Sequence, residues 1–287
     1  LGIRVARARL GFGLRVVLAG GRRGRAVLVA ASIAAGAINS VAGGGTILTF
    51  PVLTAILPET AGRLVAANAT STIGLMPGAL AAAWAYREER QGQPPWAFWL
   101  LAPSVIGSVA GALLLFALPA RRFDLLVPWL ILLAAVLFAA QPRLVRRRTA
   151  APASADATPP AGRIACAALL QLLVGIYGGY FGAGIGILML AVLGLLDLGD
   201  IHRLNGIKNV LGTAINAVAA AVFATMSLTG GRQVSWPLAA LMIVGSVIGA
   251  LGGSALARRM PPSRVRRGVA IIGFVLAGYY LWREYLA

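Results

Sequence analysis

The sequence predicts an all-α fold: a polytopic bundle of transmembrane helices made of two repeated halves. Of its 287 residues, 59% are hydrophobic and 12% are charged, whereas soluble domains carry about 45–50% apolar and about 25% charged residues. Apolar stretches of membrane-spanning length recur from one end of the chain to the other, and sequence motifs of the first half return in the second. These observations exclude a soluble enzyme.

Eight apolar stretches are expected to form the bundle, judged against the roughly 20 residues that cross a bilayer. They are residues 26–57, 64–86, 96–118, 125–140, 164–196, 204–226, 234–257 and 269–286. The first and fifth stretches are too long for one ordinary helix, and glycines interrupt both. We therefore expect each of these two to be a hairpin or a discontinuous helix.

Composition also divides the chain into four regions. Residues 1–25 form an Arg-rich N-terminal extension with seven arginines and no sustained apolar run. Residues 26–140 form the first transmembrane repeat, and residues 164–287 form the second. Between them, residues 141–163 are rich in Ala, Pro, Thr and Arg and have no apolar face to bury, which predicts a linker.

The formal net charge of +18 is carried almost entirely by arginine. These arginines lie between apolar stretches, where they orient loops in a membrane, so we expect no nucleic-acid partner. Cys166 lies in an apolar run and is expected to be inert. The spacing of Cys, His and carboxylate residues suits neither a metal site nor a nucleophile with its base. The sequence therefore predicts no metal, no cofactor and no catalysis.

Internal similarity indicates a duplication. Residues Gly107–Leu113 return as Gly245–Leu251, and Gly36–Pro51 aligns with Gly175–Leu190. Duplicated halves with matching helix breaks are typical of secondary transporters, whose substrate site lies where the repeats meet.

Arginine counts bear on the orientation of the halves. If both long stretches are hairpins, the loops after residue 25 divide their arginines thirteen to five between the two sides. Positive residues favour the cytoplasm, so this split favours hairpins and an inverted repeat. Counting residues 1–25 reverses the preference, which leaves the orientation of the termini open.

The first candidate site is formed by the two glycine-rich breaks. Three successive glycines and a following Pro51 cannot sustain a helix, and broken backbone at membrane depth is tolerated only inside protein or along a wet cavity. A helix that restarts after Gly45 would point free N–H groups into that cavity, which suits an anion. The alternative is that the glycines only permit close helix packing. The candidate ligands here are Asn39, Gly43, Gly44, Gly45, Thr46, Tyr177, Tyr180, Gly182 and Gly184.

Polar residues open the stretch that follows each break and form the second candidate site. Lys208 is the only lysine in the chain, and an ionisable residue within a membrane segment indicates function. Interhelical hydrogen bonding and snorkelling of the lysine are the alternatives. Four residues share one helix face in the second half: Asn205, Asn209, Thr213 and Asn216. The candidate ligands are Asn68 and Ser71, within a stripe that includes Thr70 and Thr72, and Asn205, Lys208, Asn209 and Thr213.

The positions of paired glycines and of acidic residues form two further patterns in the sequence. The glycine pairs Gly107/Gly111 and Gly245/Gly249, with Gly253 one turn further, predict packing faces within the protomer or at the seam of a homodimer. All eight Asp and Glu residues lie in expected loops or at helix ends. No carboxylate is then expected at mid-membrane to relay protons or bind Na⁺, which favours an anion that moves down its gradient or the membrane potential.

With these residues in view, the chain resembles the sulfite exporter family, the TauE/SafE group of bacterial membrane transporters. The resemblance rests on Gly36–Pro51, on Gly175–Leu193 and on the Asn- and Lys-bearing helices that follow, and it spans roughly residues 26–286. It implies a duplicated membrane protein that moves sulfite, sulfonates, thiosulfate or other small organic anions. Composition and spacing by themselves support only a small anion.

The sequence hypothesis is a multi-pass protein of the bacterial inner membrane that exports a small sulfur oxyanion or organosulfonate by alternating access. The expected partners are a small anionic solute and membrane lipid. The alternatives are a passive anion channel, a transporter of small organic acids and a membrane scaffold that binds no solute.

Overall fold

The fold was analysed in a computed structural model of the chain. The structure describes residues 21–41, 44–85, 95–146, 159–196, 201–229, 234–257 and 262–286. Gly43 and most of the N-terminal extension lie outside these residues. Every regular element within them is helical, as predicted.

Eleven α-helices and a closing π-helical turn follow one another along the described chain. The first half contains α1 (Gly21–Val41), α2 (Thr46–Ile56), α3 (Arg63–Ala85), α4 (Pro95–Trp99), α5 (Leu101–Ala117) and α6 (Ala120–Arg146). The second half contains α7 (Ala161–Tyr180), α8 (Ile185–Leu195), α9 (Ile201–Thr229), α10 (Trp236–Ala257), α11 (Pro262–Leu281) and the π turn Trp282–Leu286.

Seven of these segments are long and apolar enough to cross a membrane. They are α3, α4 together with α5, α6, α7, α9, α10, and α11 together with the π turn. Helices α2 and α8 are apolar but short, with 11 residues each. The prediction of a multi-pass helical membrane protein is therefore confirmed.

The two glycine-rich stretches break where the sequence predicts. Helix α1 ends at Val41 and α2 begins at Thr46, while α7 ends at Tyr180 and α8 begins at Ile185. The turns use left-handed backbone at Gly44, with φ of 96°, and at Gly184, with φ of 76°. A side chain would strain both conformations, which explains glycine at each.

The predicted linker is partly helical. Helix α6 continues to Arg146, and α7 begins at Ala161. Residues 147–158, the middle of the linker, lie outside the described residues.

The small-residue pairs pack within the protomer. A Cβ added at Gly249 of α10 would overlap the carbonyl oxygen of Ile33 in α1, and one added at Gly111 of α5 would overlap that of Ile176 in α7. Glycine at these positions lets two helix backbones touch. The sequence left open whether these glycine faces pack within the protomer or at the seam of a homodimer, and in the structure they pack within the protomer.

Hydrogen bonds connect the halves reciprocally. The Ser246 hydroxyl of α10 donates to the Gly74 carbonyl of α3 over 2.8 Å, and the Ser108 hydroxyl of α5 donates to the Ile215 carbonyl of α9 over 2.8 Å. Each half thus inserts a serine-bearing helix against a long helix of the other. The inverted orientation of the halves stays a prediction.

The register of contacts to α10 gives the course of the first broken stretch. Residues further along α10 contact residues further along α1: Val29 lies beside Gly245, and Ala37 lies beside Gly253. The same holds for α3, where Gly74 lies beside Met242 and Gly78 lies beside Ser246. Helices α1 and α3 therefore run in the same direction. The chain must return between them, so α2 lies on the returning limb of a hairpin.

A matched pair of substitutions in α10 tests the close packing. We expect Gly249→Ala to destabilise the protein by about 1–3 kcal/mol, because its methyl group meets the backbone of α1. Gly252→Ala, one turn away with no atom within 4 Å of the added carbon, is expected to be neutral or stabilising. Thermal unfolding of the purified variants measures both. Equal melting temperatures for the two variants would contradict the packing argument.

Candidate functional site

The two glycine breaks lie against each other inside the bundle. A Cβ placed on Gly44 would be 3.1 Å from the amide nitrogen of Gly184 and would collide with the ring of Phe138. Phe138 of α6 is almost fully buried and also lies beside Gly184. The two breaks therefore meet beside one aromatic ring, and at position 44 only glycine leaves room for that ring.

A side chain of the preceding helix braces each break. The Asn39 side-chain oxygen accepts a hydrogen bond from the Gly45 amide over 2.7 Å, and the Tyr177 hydroxyl donates to the Ala183 carbonyl over 2.6 Å. Both bonds span six residues. They satisfy backbone groups that the broken helices leave without intrahelical partners.

A cleft opens where the breaks meet α3 and α9. Its volume of about 60 Å³ exceeds the roughly 10–15 Å³ needed to hold one ordered water, so a solute of a few atoms fits. Its polar lining comes from both breaks and both long helices: Asn39, Gly44, Thr46, Thr72, Gly182, Lys208, Asn209, Thr213 and Asn216. The remaining wall is small or apolar, with Ala79, Ala82 and Ala83 of α3 prominent.

The cleft is built to be electropositive. Lys208 is buried, with 5% of its surface exposed, and the described lining contains no Asp or Glu. Helices α2 and α8 both begin at the cleft, with Thr46 and Ile185 in its wall. A helix N-terminus carries the positive end of the helix dipole. A lysine and helix N-termini are the groups that bind small anions in proteins.

The structure brings seven of the predicted site residues to the cleft. They are Asn39, Gly44, Thr46, Gly182, Lys208, Asn209 and Thr213. Their role as ligands stays a prediction. They converge from α1, the two breaks and α9, so both halves of the chain contribute to the cleft.

Other predicted residues pack nearby without lining the cleft. Asn68 and Ser71 of α3 are fully buried: the Asn68 amide donates to the Tyr180 carbonyl over 2.9 Å, and the Ser71 hydroxyl pairs with Thr49 at 2.7 Å. Both side chains therefore make hydrogen bonds to neighbouring helices, which is the alternative to ligand binding that the sequence left open. Gly45, Tyr177, Tyr180, Gly184 and Asn205 also stand outside the lining, and Gly43 is outside the described residues.

Thr72 and Asn216 line the cleft, although the sequence marks them only as members of the polar stripes. A pattern in the sequence could have identified each of them as a candidate ligand. Asn216 follows Asn209 by seven residues and so shares its face. When the two polar stripes are aligned so that Asn68 matches Asn209, Thr72 matches Thr213. No sequence pattern marks the alanines of α3 that line the cleft, because alanine is common in any apolar helix.

The chain is similar to known membrane transporters over most of its length. The sequence model of the family described as "Sulfite exporter TauE/SafE" matches residues 28–280. A protein of Haemophilus influenzae, named "Probable membrane transporter protein", is 27% identical over 262 residues, which cover 90% of this chain and 95% of the relative. No solved structure matches.

The brace at the first break predicts a difference between two substitutions of Asn39. Asn39→Ala removes the acceptor of the Gly45 amide and is expected to destabilise the protein by about 1 kcal/mol. Asn39→Asp keeps an acceptor and places negative charge at a helix N-terminus, so it is expected to melt above Asn39→Ala. Thermal unfolding of both variants in lipid nanodiscs measures the difference. A wild-type melting temperature for Asn39→Ala would refute the bracing role.

Proposed function

The chain belongs to the Sulfite exporter TauE/SafE family, and on that premise we propose that it carries small anions across the membrane through the cleft. As a member of this family with seven segments able to span a bilayer, it is a multi-pass membrane transporter. Its substrate, direction and mechanism form the proposal.

The proposed substrate is sulfite or an organosulfonate. The observation that carries this proposal is the buried Lys208 beside two helix N-termini in a cleft without described carboxylates. A sulfonate or sulfite group presents several oxygens that accept hydrogen bonds. The side chains of Asn209, Thr213 and Asn216, one helix face, are donors for those oxygens.

The proposed mechanism is export across the bacterial inner membrane by alternating access. The cleft lies between two halves whose long helices, α3 and α9, form facing walls. Rocking of one half against the other would expose such a site to each side in turn. The family description supports the export direction.

Counterflow in proteoliposomes tests the carrier. Vesicles loaded with excess unlabelled sulfite are diluted into radiolabelled sulfite, with thiosulfate, sulfate, taurine and acetate as competitors. We expect label to accumulate transiently above equilibrium, because a carrier exchanges internal for external substrate. Simple equilibration would indicate a channel instead. Vesicles that contain folded protein yet take up no sulfite would remove sulfite as a substrate.

Substitutions of Lys208 test the charge of the cleft. A hydrogen bond to a charged group contributes about 1.5–3 kcal/mol, so Lys208→Ala is expected to raise the half-saturating sulfite concentration by about 10–100-fold. Lys208→Arg keeps the charge and should lose less. Thr225→Val, at an exposed position of the same helix, is the matched control and should leave transport unchanged. Wild-type half-saturation in Lys208→Ala would defeat the anion-ligand role.

A further inference from the structure

A second, larger space lies beside the cleft. It is a groove of about 430 Å³ between α3, the start of α5 and α9. Apart from residues shared with the cleft, its described walls are entirely apolar, with Leu80, Trp84, Leu101, Val210, Ala214 and Ala217 among them. This space, called the apolar groove below, favours an apolar group over a charged one away from the residues that it shares with the cleft.

The apolar groove and the cleft share part of their walls. Ala83 of α3 and Asn209 and Thr213 of α9 line both spaces. Asn209 and Thr213 lie one helical turn apart, and the side chain of Ala83 is a single methyl group. The cleft and the groove therefore adjoin at these three residues.

The outer rim of the apolar groove lies on the surface of the bundle. Leu80 is 47% exposed and Trp84 is 63% exposed, on a helix that is long and apolar enough to span the membrane. Phe98 and Trp99 of the neighbouring α4 are also exposed. Exposed tryptophans are typical of the membrane–water interface, so the groove opens toward lipid near one face of the bilayer.

Building on the anion site proposed above, we propose that the transported solute is an amphiphilic organic anion, an alkanesulfonate in chemical class. Its charged head occupies the cleft near Lys208, and its alkyl chain lies in the apolar groove. The relative sizes support this division, since the polar cleft of about 60 Å³ has room for a head group while the groove of about 430 Å³ has room for a chain.

Chain length is the variable that tests this proposal. Methanesulfonate, butanesulfonate and hexanesulfonate compete against radiolabelled sulfite, and separately against radiolabelled methanesulfonate, in counterflow. A fully buried methylene contributes up to about a fourfold gain in affinity. We expect hexanesulfonate to inhibit at least about 10-fold more strongly than methanesulfonate. Protein-free liposomes check that no competitor causes leakage.

A variant that fills the apolar groove separates it from general partitioning into lipid. Ala217 lines the groove and not the cleft. In Ala217→Trp we expect methanesulfonate to inhibit as in wild type, whereas hexanesulfonate loses its advantage. Ala221→Trp, at an exposed position one turn along the same helix that lines neither space, should keep that advantage. Ala214→Leu, also in the groove, replaces Ala217→Trp if the larger side chain prevents folding.

The outcomes distinguish the two proposals. Counterflow with equal inhibition by methanesulfonate and hexanesulfonate would overturn the groove proposal while leaving the anion carrier intact. A chain-length advantage that persists in the groove-filled variants would also overturn it, because the alkyl chain would then bind elsewhere. Absence of counterflow with both tracers would refute the anion site and this inference with it.

Discussion

A backbone that breaks inside a membrane must find its hydrogen bonds within the protein, because hydrocarbon offers none. This chain breaks twice and solves the problem by placing the breaks together. Asn39 and Tyr177 each reach forward six residues to a backbone group of the break, and Phe138 closes one side. The cleft follows from this arrangement, since two helices must begin where the breaks meet, and their N-termini give it its electrostatic character.

Close packing elsewhere lets α3 and α9 face each other across the cleft. Glycines of α10 and α5 bring those helices into backbone contact with α1 and α7, and Ser246 and Ser108 connect them to α3 and α9. Each long helix is thereby held by a helix of the other half. None of the glycines and serines that make these contacts lines the cleft.

The sequence predicted the helices and both breaks because hydropathy and runs of glycine determine where a helix forms and where it ends, and both can be read from residues close together in the chain. It also singled out Lys208, Asn209 and Thr213, whose residue types are unusual in a membrane segment. It did not separate these from Asn68 and Ser71, since polar residues at the start of two apolar stretches look alike in sequence, and only tertiary contacts show which of them pack against other helices. The alanine wall and the apolar groove gave no signal, because ordinary apolar residues line them and only their spacing in the fold creates a cavity.

The two halves contribute unequally to the site, and that inequality fits the proposed substrate. Where α9 places Lys208, the aligned position of α3 is Ala67. Lys208 lies at the cleft together with the N-termini of α2 and α8, and a helix N-terminus carries about half a positive charge. Helix α3 instead contributes small side chains to the cleft, Ala79, Ala82 and Ala83, and Ala83 also lines the groove. The lysine therefore comes from one half of the chain, and a small apolar wall beside it comes from the other.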